Sequence, residues 1–281
     1  MPGFATYQAI KDVIPGQIIV LPVMKAGISS EGAHVWQSSW RVAGVPAAGA
    51  VPATGAGTVP DTDTAGAIIL PRLMSNASNS VIRHLLRMGS FCITNRIGVL
   101  LLDILWFNSG LDGTVTTAQT INSTALSRYT GGSGNMLALI CWTATGTTVS
   151  NVIVDYTDQA DAAQVTPSVA LWTEGWGGGA LAPIANQIQI LPLNGVGIKS
   201  VQSLTLSAST LTAGDFGAMI FRIIAYLPVA KFADYAEIDF VLQMAGLMED
   251  ISKDACLCFW AMLDTTGGNI GVQGPLVGIW N

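Results

Sequence analysis

Charged side chains are scarce in this sequence. Only 12 of its 281 residues are Lys or Arg and only 18 are Asp or Glu, whereas roughly a quarter of the residues of an average soluble domain are charged. A folded monomer of 29.3 kDa exposes roughly 11,500 Å², so much of this surface must be neutral, small or apolar. Free monomers seldom expose large contiguous apolar patches. The charge deficit therefore predicts that contacts with other subunits cover part of the surface.

The sequence also lacks a basic excess and long hydrophobic runs. A formal net charge of −6 provides no positive field for a phosphate backbone, which disfavours nucleic-acid binding as the main role. The apolar run 97–107 contains Asp103, and the run 216–230 contains Arg222 and Pro228. A spanning helix needs about 20 apolar residues, so we predict no transmembrane helix and no membrane partner.

Cysteine is rare too, which argues against a disulfide-stapled extracellular domain. The four cysteines are Cys92, Cys141, Cys256 and Cys258. Near the N-terminus, Lys11, Asp12 and Pro15 lie where a signal peptide needs its apolar stretch. We therefore expect free, buried thiols and a protein that is made and folded in the cytoplasm.

Recognisable catalytic and cofactor motifs are missing. The two histidines, His34 and His84, have no metal-ligand spacing. No nucleophile elbow, phosphate loop or dinucleotide fingerprint occurs in the structural context that it requires. Cys256 and Cys258 would lie on the same side of a strand, where core packing is the simpler explanation. The sequence thus predicts no enzyme, no catalytic residue, no cofactor and no metal site.

One acidic cluster needs separate consideration. Asp155, Asp158 and Asp161 surround a predicted hairpin turn at Thr157–Ala160. The cluster lacks the spacing and the bidentate Glu of a calcium loop. We therefore predict that these carboxylates, like Asp61 and Asp63, form turns and keep the surface soluble.

Short segments rich in Val, Ile, Thr and aromatic residues recur between Gly, Asn, Asp and Pro, which is typical of strands. The predicted strands are Gln17–Pro22, Val35–Arg41, Ala67–Leu70, Gly98–Trp106, Asn135–Thr143, Asn151–Tyr156, Gln187–Leu191, Ser200–Ser207, Ala218–Leu227, Ala255–Leu263 and Gly274–Trp280. This pattern predicts an all-β fold, a β-sandwich or jelly roll with an extended N-terminal arm or loop region.

The pattern of apolar residues is distinctive in two of these strands and in two other segments. Gly98–Trp106 and Ala218–Leu227 are apolar almost throughout, so we expect both to be central and covered on both sides. Ala5–Val13 and Ala233–Ile251 show helical spacing of apolar residues and are predicted to be helices.

The segment Ala43–Ala65 is too poor in apolar bulk to form its own core. We predict an extended arm or long loop, and the recurring Val45, Val51 and Val59 indicate that it lies against another surface. The chain divides either into an arm-and-strand region 1–80 and a β-sandwich body 81–281, with a boundary near Ser80, or into one continuous body with a long arm.

Eight tryptophans are the remaining candidates for binding, because aromatic side chains anchor protein interfaces and stack on sugars. Trp106, Trp142 and Trp260 fall in predicted strands and are expected to pack inside. The candidate interface residues are Trp36, Trp40, Val45, Val51, Val59, Trp172, Trp176 and Trp280. Trp172 and Trp176, beside a glycine run, also allow an alternative reading as a carbohydrate-binding β-sandwich.

Several sequence landmarks resemble virion structural proteins of tailed bacteriophages, of the head-decoration or cement type. The landmarks are the strand Trp36–Arg41 followed by Val-Ala-Gly-Val-Pro, the turn Ser127–Gly134, and the segments Val154–Gln159, Gly197–Ser203 and Gly278–Asn281. The resemblance implies a β core with extended arms that packs in many copies. Our hypothesis is that the protein associates with itself, for example as a trimer, and binds the capsid shell in the virion. A major shell, neck or tail component is the alternative within the same class.

Overall fold

The computed structural model describes residues 18–26, 35–68, 83–91, 96–172, 183–228, 235–239, 250–263 and 272–280, and these contain strands and no helix. In chain order the strands are β1 (Ile18–Lys25), β2 (Trp36–Ser38), β3 (Gly44–Val45), β4 (Arg83–Phe91), β5 (Arg96–Phe107), β6 (Gln119–Thr120), β7 (Met136–Thr143), β8 (Asn151–Asp158), β9 (Ala163–Val165), β10 (Val169–Ala170), β11 (Gln187–Leu191), β12 (Ile198–Leu206), β13 (Asp215–Pro228), β14 (Tyr235–Asp239), β15 (Asp250–Ile251), β16 (Leu257–Leu263) and β17 (Val272–Trp280). The predicted all-β fold is confirmed.

Six strands close on themselves into a barrel in the order β11-β2-β16-β5-β13-β7. Large side chains fill its interior, among them Trp40, Phe107, Trp142, Phe221 and Trp260. A small barrel has room inside only for packed side chains, so this interior is a core and no channel.

Two open sheets flank the barrel on its outer surface. The first sheet has the order β14-β4-β17-β1-β3, with β15 paired to β4, and the second has the order β10-β8-β12-β6, with β9 paired to β8. Apolar residues of β5, β13 and β16 pack against the first sheet, and residues of β5, β7 and β13 pack against the second. The central barrel strands are therefore covered on both sides, as their continuous apolar sequence predicted.

Bulges allow the two longest barrel strands to serve three cores. The pairing of β5 with β13 shifts register between Ile220 and Phe221 and again between Ile223 and Ala225. An extra residue in one strand reverses which side chains face inward. Accordingly Leu102 and Ile104 lie inside the barrel, but Trp106, which simple alternation would also place inside, packs toward the second sheet, and Phe107 lies inside.

The two predicted helices have different outcomes. The helix predicted for Ala233–Ile251 is wrong where residues are described, because β14 and β15 occupy both of those parts. The helix predicted for Ala5–Val13 and the boundary near Ser80 lie outside the described residues. Among the described residues, no helix has the length and apolar character needed to cross a membrane.

Candidate assembly surface

The predicted arm, residues 43–65, lies along the barrel of its own chain. The Thr58 N–H donates to the Phe107 carbonyl over 2.9 Å, and the Phe107 N–H donates back to the Thr58 carbonyl over 3.1 Å. The indole Nε1 of Trp106 donates to the carbonyl of Ala56 over 2.7 Å. The surface that this segment covers therefore belongs to the same molecule.

The three valines of the arm end in different places. Val59 packs against the core under the second sheet. Val45 and Val51 keep exposed side chains. Only these two valines of the arm are thus presented to a partner.

A buried guanidinium holds the arm to the barrel. Arg128 donates through Nη2 to Asp103 Oδ1 over 2.7 Å and through Nε to Asp103 Oδ2 over 3.1 Å. Its Nη1 reaches the Pro60 carbonyl of the arm over 2.8 Å, and its Nη2 also reaches the Ile104 carbonyl over 2.8 Å. The Asp103 carboxylate accepts a further hydrogen bond from the Cys256 N–H. We call these five residues the Arg128 network.

The Arg128 network is a buried ion pair with most of its hydrogen-bonding capacity used. The side chains of Arg128 and Asp103 are 6% and 0% exposed. Burial lowers the pKa of Arg128, but the hydrogen bond and the charge of Asp103 raise it by more, so the guanidinium remains protonated. Such a pair is sensitive to loss of one partner, because the other charge is then left buried and uncompensated.

A second buried cation fastens the start of the arm to the first sheet. Lys25, at the end of β1, donates through Nζ to the carbonyls of Val42, Pro46 and Ala47 over 3.1, 2.8 and 3.3 Å. Three acceptors match the three N–H groups of an ammonium. Burial lowers the pKa of Lys25. The corner between β1 and β3 is consequently fixed in place.

The outer face of the first sheet carries exposed apolar residues beside this corner. Val20 and Met24 are 58% and 53% exposed, and Val45 is 51% exposed. Pro22, between them on β1, is exposed as well, and Met24 lies directly opposite Val45 in the pairing of β1 with β3. We call Val20, Pro22, Met24 and Val45 the outer strip. It is an uncharged row of side chains that face solvent on two paired strands.

Other exposed aliphatic residues are scattered singly over the surface, among them Val165 at the end of β9 and Val196 on a loop. Val149 and Leu211 belong to two loops joined by a hydrogen bond from the Gly146 N–H to the Thr212 carbonyl. Such single exposed residues are common on protein surfaces. The outer strip differs from them because four apolar residues lie together on adjacent strands.

The tryptophans proposed as interface anchors have separate locations. Trp40 is 1% exposed, donates from Nε1 to the Ala50 carbonyl and meets the Phe107 ring edge-on at 5.2 Å between centroids. Trp36 is partly buried against the barrel core. Trp280 is in β17, and Trp176 lies outside the described residues. Trp40 thus contributes to the core of a single chain.

Trp172 is also internal. It is 2% exposed, and its ring meets Phe216 edge-on at 6.1 Å between centroids. A buried indole does not offer a face to a sugar. The carbohydrate-binding alternative therefore depends on Trp176. Because Trp176 lies outside the described residues, that alternative stays a prediction.

The buried thiols are poor nucleophiles in this fold. Cys141, Cys256 and Cys258 are free and buried. Burial raises the pKa of Cys141 to about 12 and raises the pKa values of the other two thiols as well. A thiol reacts as its thiolate, so these side chains serve packing at neutral pH. In the part of the chain that the structure describes, no three His, Cys, Asp or Glu residues are grouped to hold a metal ion.

The acidic turn behaves as a turn. Asp158 Oδ1 accepts hydrogen bonds from the N–H groups of Ala160 and Ala162 over 2.8 and 2.9 Å. These bonds lower the pKa of Asp158. Asp161 forms an exposed ion pair with Lys199 at 2.7 Å. Asp158 therefore shapes the β8–β9 hairpin, as its position in the sequence predicted.

Comparison with known proteins gives little further information. No protein family and no curated relative match this sequence. Among solved structures the chain has a weak similarity to a viral capsid protein, described as "Crystal structure of infectious bursal disease virus VP2 subviral particle". The identity is 8%, the match covers 94% of this chain and 81% of that chain, and the TM-score is 0.18. At that TM-score the similarity carries no argument about this protein.

Proposed function

We propose that this chain is a structural protein of a virion that associates with copies of itself and binds the capsid shell as a decoration or cement protein. The observation that carries the proposal is the outer strip. It exposes four adjacent apolar residues on a chain with only 30 charged side chains (12 basic plus 18 acidic). Burying such a strip against protein is favourable by roughly 25 cal/mol per Å² of apolar surface.

The rigidity of the strip supports a binding role. All eight residues of β1 pair with β17, from Ile18 opposite Ile279 to Lys25 opposite Val272. Lys25 fixes the end of the same strand through three carbonyls. A surface that is already ordered loses little conformational entropy on binding, so more of the contact energy appears as affinity.

The location in a phage head is supported by the resemblance of the sequence landmarks to decoration proteins. A shell offers many equivalent sites, and an oligomer that contacts several of them gains apparent affinity through effective concentration. Each contact can therefore be smaller than the roughly 1,600 Å² of a standard stable interface. Few charges and a modest apolar strip are compatible with such repeated contacts.

The test is co-sedimentation with purified shells that lack this protein, taken from the virus that encodes it. We expect the wild-type chain to pellet with the shells and Val45→Lys to pellet much less, because the lysine brings a charge into the contact. Val149→Lys is the matched control, since it places the same charge on an exposed valine outside the outer strip.

Three other outcomes would change the proposal. A wild-type chain that stays in the supernatant would refute shell binding. Saturation at about a dozen copies or fewer per particle, where a shell-wide protein reaches hundreds, would indicate the neck or tail alternative. Equal loss in Val45→Lys and Val149→Lys would exclude the outer strip as the contact.

A further inference from the structure

Among the described residues, the strand β1 has an open edge next to the outer strip. On one side it pairs along its full length with β17. On the other side β3 covers only Met24 and Lys25. Within the described residues no strand pairs with Ile18–Val23 on that side. Exposed strand edges are templates for another extended strand.

The prolines show which backbone groups face the open edge. Pro22 lies directly opposite Pro275 in the β1–β17 pairing. Neither residue has an N–H, so this pair cannot be one that exchanges hydrogen bonds. Residues two apart along the strand share this orientation, so Ile18, Val20 and Pro22 direct their backbone polar groups away from β17.

A hydrogen bond at the other end of β1 supports this orientation independently. The Ala26 N–H donates to the Ala43 carbonyl over 2.8 Å. Even-numbered residues of this segment therefore face the β3 side. The open edge accordingly presents the N–H groups of Ile18 and Val20 and the carbonyls of Ile18, Val20 and Pro22.

We propose that two copies of this chain pair through the open edge of β1, antiparallel and about a two-fold axis at Val20. This inference rests on the proposed self-association and assigns its surface and symmetry. Val20 of each copy lies opposite Val20 of the other and exchanges both backbone hydrogen bonds with it. The Ile18 N–H of each copy donates to the Pro22 carbonyl of the other.

Two features favour a second copy over an unrelated strand. In this register every N–H that Ile18 and Val20 direct to the edge finds an acceptor in the second copy. Because Pro22 has no N–H to donate, the Ile18 carbonyl opposite it is the one group left to bind water. The edge is therefore complementary to itself, which a two-fold interface requires. The axis is perpendicular to the sheet, so the two outer strips lie on the same face and join across Val20.

Pro22 also limits the interface to one partner. β3 already covers Met24 and Lys25, and proline is a common means of protecting an edge from indefinite strand addition. Pairing is thus confined to Ile18–Pro22. A closed pair results, and each pair then acts as one unit in shell binding.

The test uses the proposed position of Val20, which lies directly opposite Val20 of the second copy. Val20→Lys and Val20→Glu are prepared in the full chain, with Val149→Lys as a control for added surface charge and circular dichroism as a control for folding. Sedimentation velocity over a concentration series gives the mass of each variant and of a 1:1 mixture of the two Val20 variants. Directly opposite residues lie about 5.5 Å apart at Cα, so like charges repel and opposite charges attract.

We expect the wild type and Val149→Lys to form the pair. Each Val20 variant alone should dissociate about tenfold more readily or worse, and the mixture should restore association. A wild-type oligomer that both Val20 variants leave unchanged would overturn the β1 surface and leave the proposed self-association intact. A wild type that stays monomeric throughout would refute both. Weakened variants whose mixture is not restored would refute the two-fold register.

Discussion

Replacing Arg128 by Met removes the charge that compensates Asp103 while retaining an apolar stem of similar length. Asp103 is 0% exposed, and without Arg128 its carboxylate keeps only the Cys256 N–H as a donor among the Arg128 network. Removing one partner of a buried ion pair costs about 3–5 kcal/mol. That is a large part of the about 5–15 kcal/mol by which a typical domain is stable.

Urea unfolding followed by tryptophan fluorescence measures this loss. With a slope of about 3 kcal/mol per M, at the upper end for small proteins, the midpoint should fall by more than about 1 M. Asp103→Asn combined with Arg128→Met should lose less than Arg128→Met alone, because no uncompensated carboxylate remains and an oxygen is kept for Cys256.

The exposed pair of Lys199 with Asp161 provides the matched control. Its side chains are 22% and 76% exposed, so Lys199→Ala should cost less than about 1 kcal/mol. If Arg128→Met is as mild as Lys199→Ala, the Arg128 network does not hold the arm, and the reasoning from burial is wrong.

Two further predictions concern the cores and the loops, in addition to those for Val45 and Val20. The pKa of Cys141 is raised to about 12 from 9.0; the unfolded chain then releases its proton first, so stability present below pH 9 is lost as pH rises toward 12, by up to about 4 kcal/mol. Urea midpoints between pH 8 and 11 should fall, and Cys141→Ala should flatten the slope; an equal slope in the variant would remove Cys141 as a cause. A Cβ on Gly146 would lie 1.6 Å from the Thr210 carbonyl oxygen, whereas one on Gly131 meets nothing within 4 Å. Gly146→Ala should therefore cost about 1–3 kcal/mol and Gly131→Ala less than about 0.5 kcal/mol, and equal thermal midpoints for the two variants would contradict this.

The longest strands could be predicted because their sequences are unambiguous. β5 and β13 are apolar on both faces, which requires cover on both sides, and the structure provides the barrel core and the outer sheets. Their closure into a barrel was not predicted, because β2 pairs with β16 across more than 200 residues of sequence, and no local pattern reports such a pairing.

Strand β4 was missed for a local reason. Its sequence, Arg83–Phe91, contains two arginines and a histidine and no β-branched residue, so it lacks the usual strand signal. It is a strand because β17 and β14 pair with it on either side. Tertiary context likewise replaced helix by strand at β14, where helical spacing of apolar residues was misleading.

The exposed surface that we propose for assembly could be predicted only in part. The small number of charged residues and the arm 43–65, which is too poor in apolar bulk to form a core, indicated apolar contact surfaces. Val45 was among the predicted interface residues. The outer strip was not predicted. The sequence around Val20 and Met24 does not show which face of the strand is covered, and only the sheet pairing reveals that this face is exposed. The arm was expected to lie on another surface, and that surface is the barrel itself, since the indole of Trp106 and the guanidinium of Arg128 reach its carbonyls.

If this chain works as an assembled protein, its native mass in solution is larger than the mass of one chain. Light scattering on the purified wild-type chain over a range of concentrations should give a mass at a multiple of the 29.3 kDa chain, with an even number of copies if pairs through β1 are the unit. A mass that stays at one chain at every concentration would show that the protein does not assemble with itself.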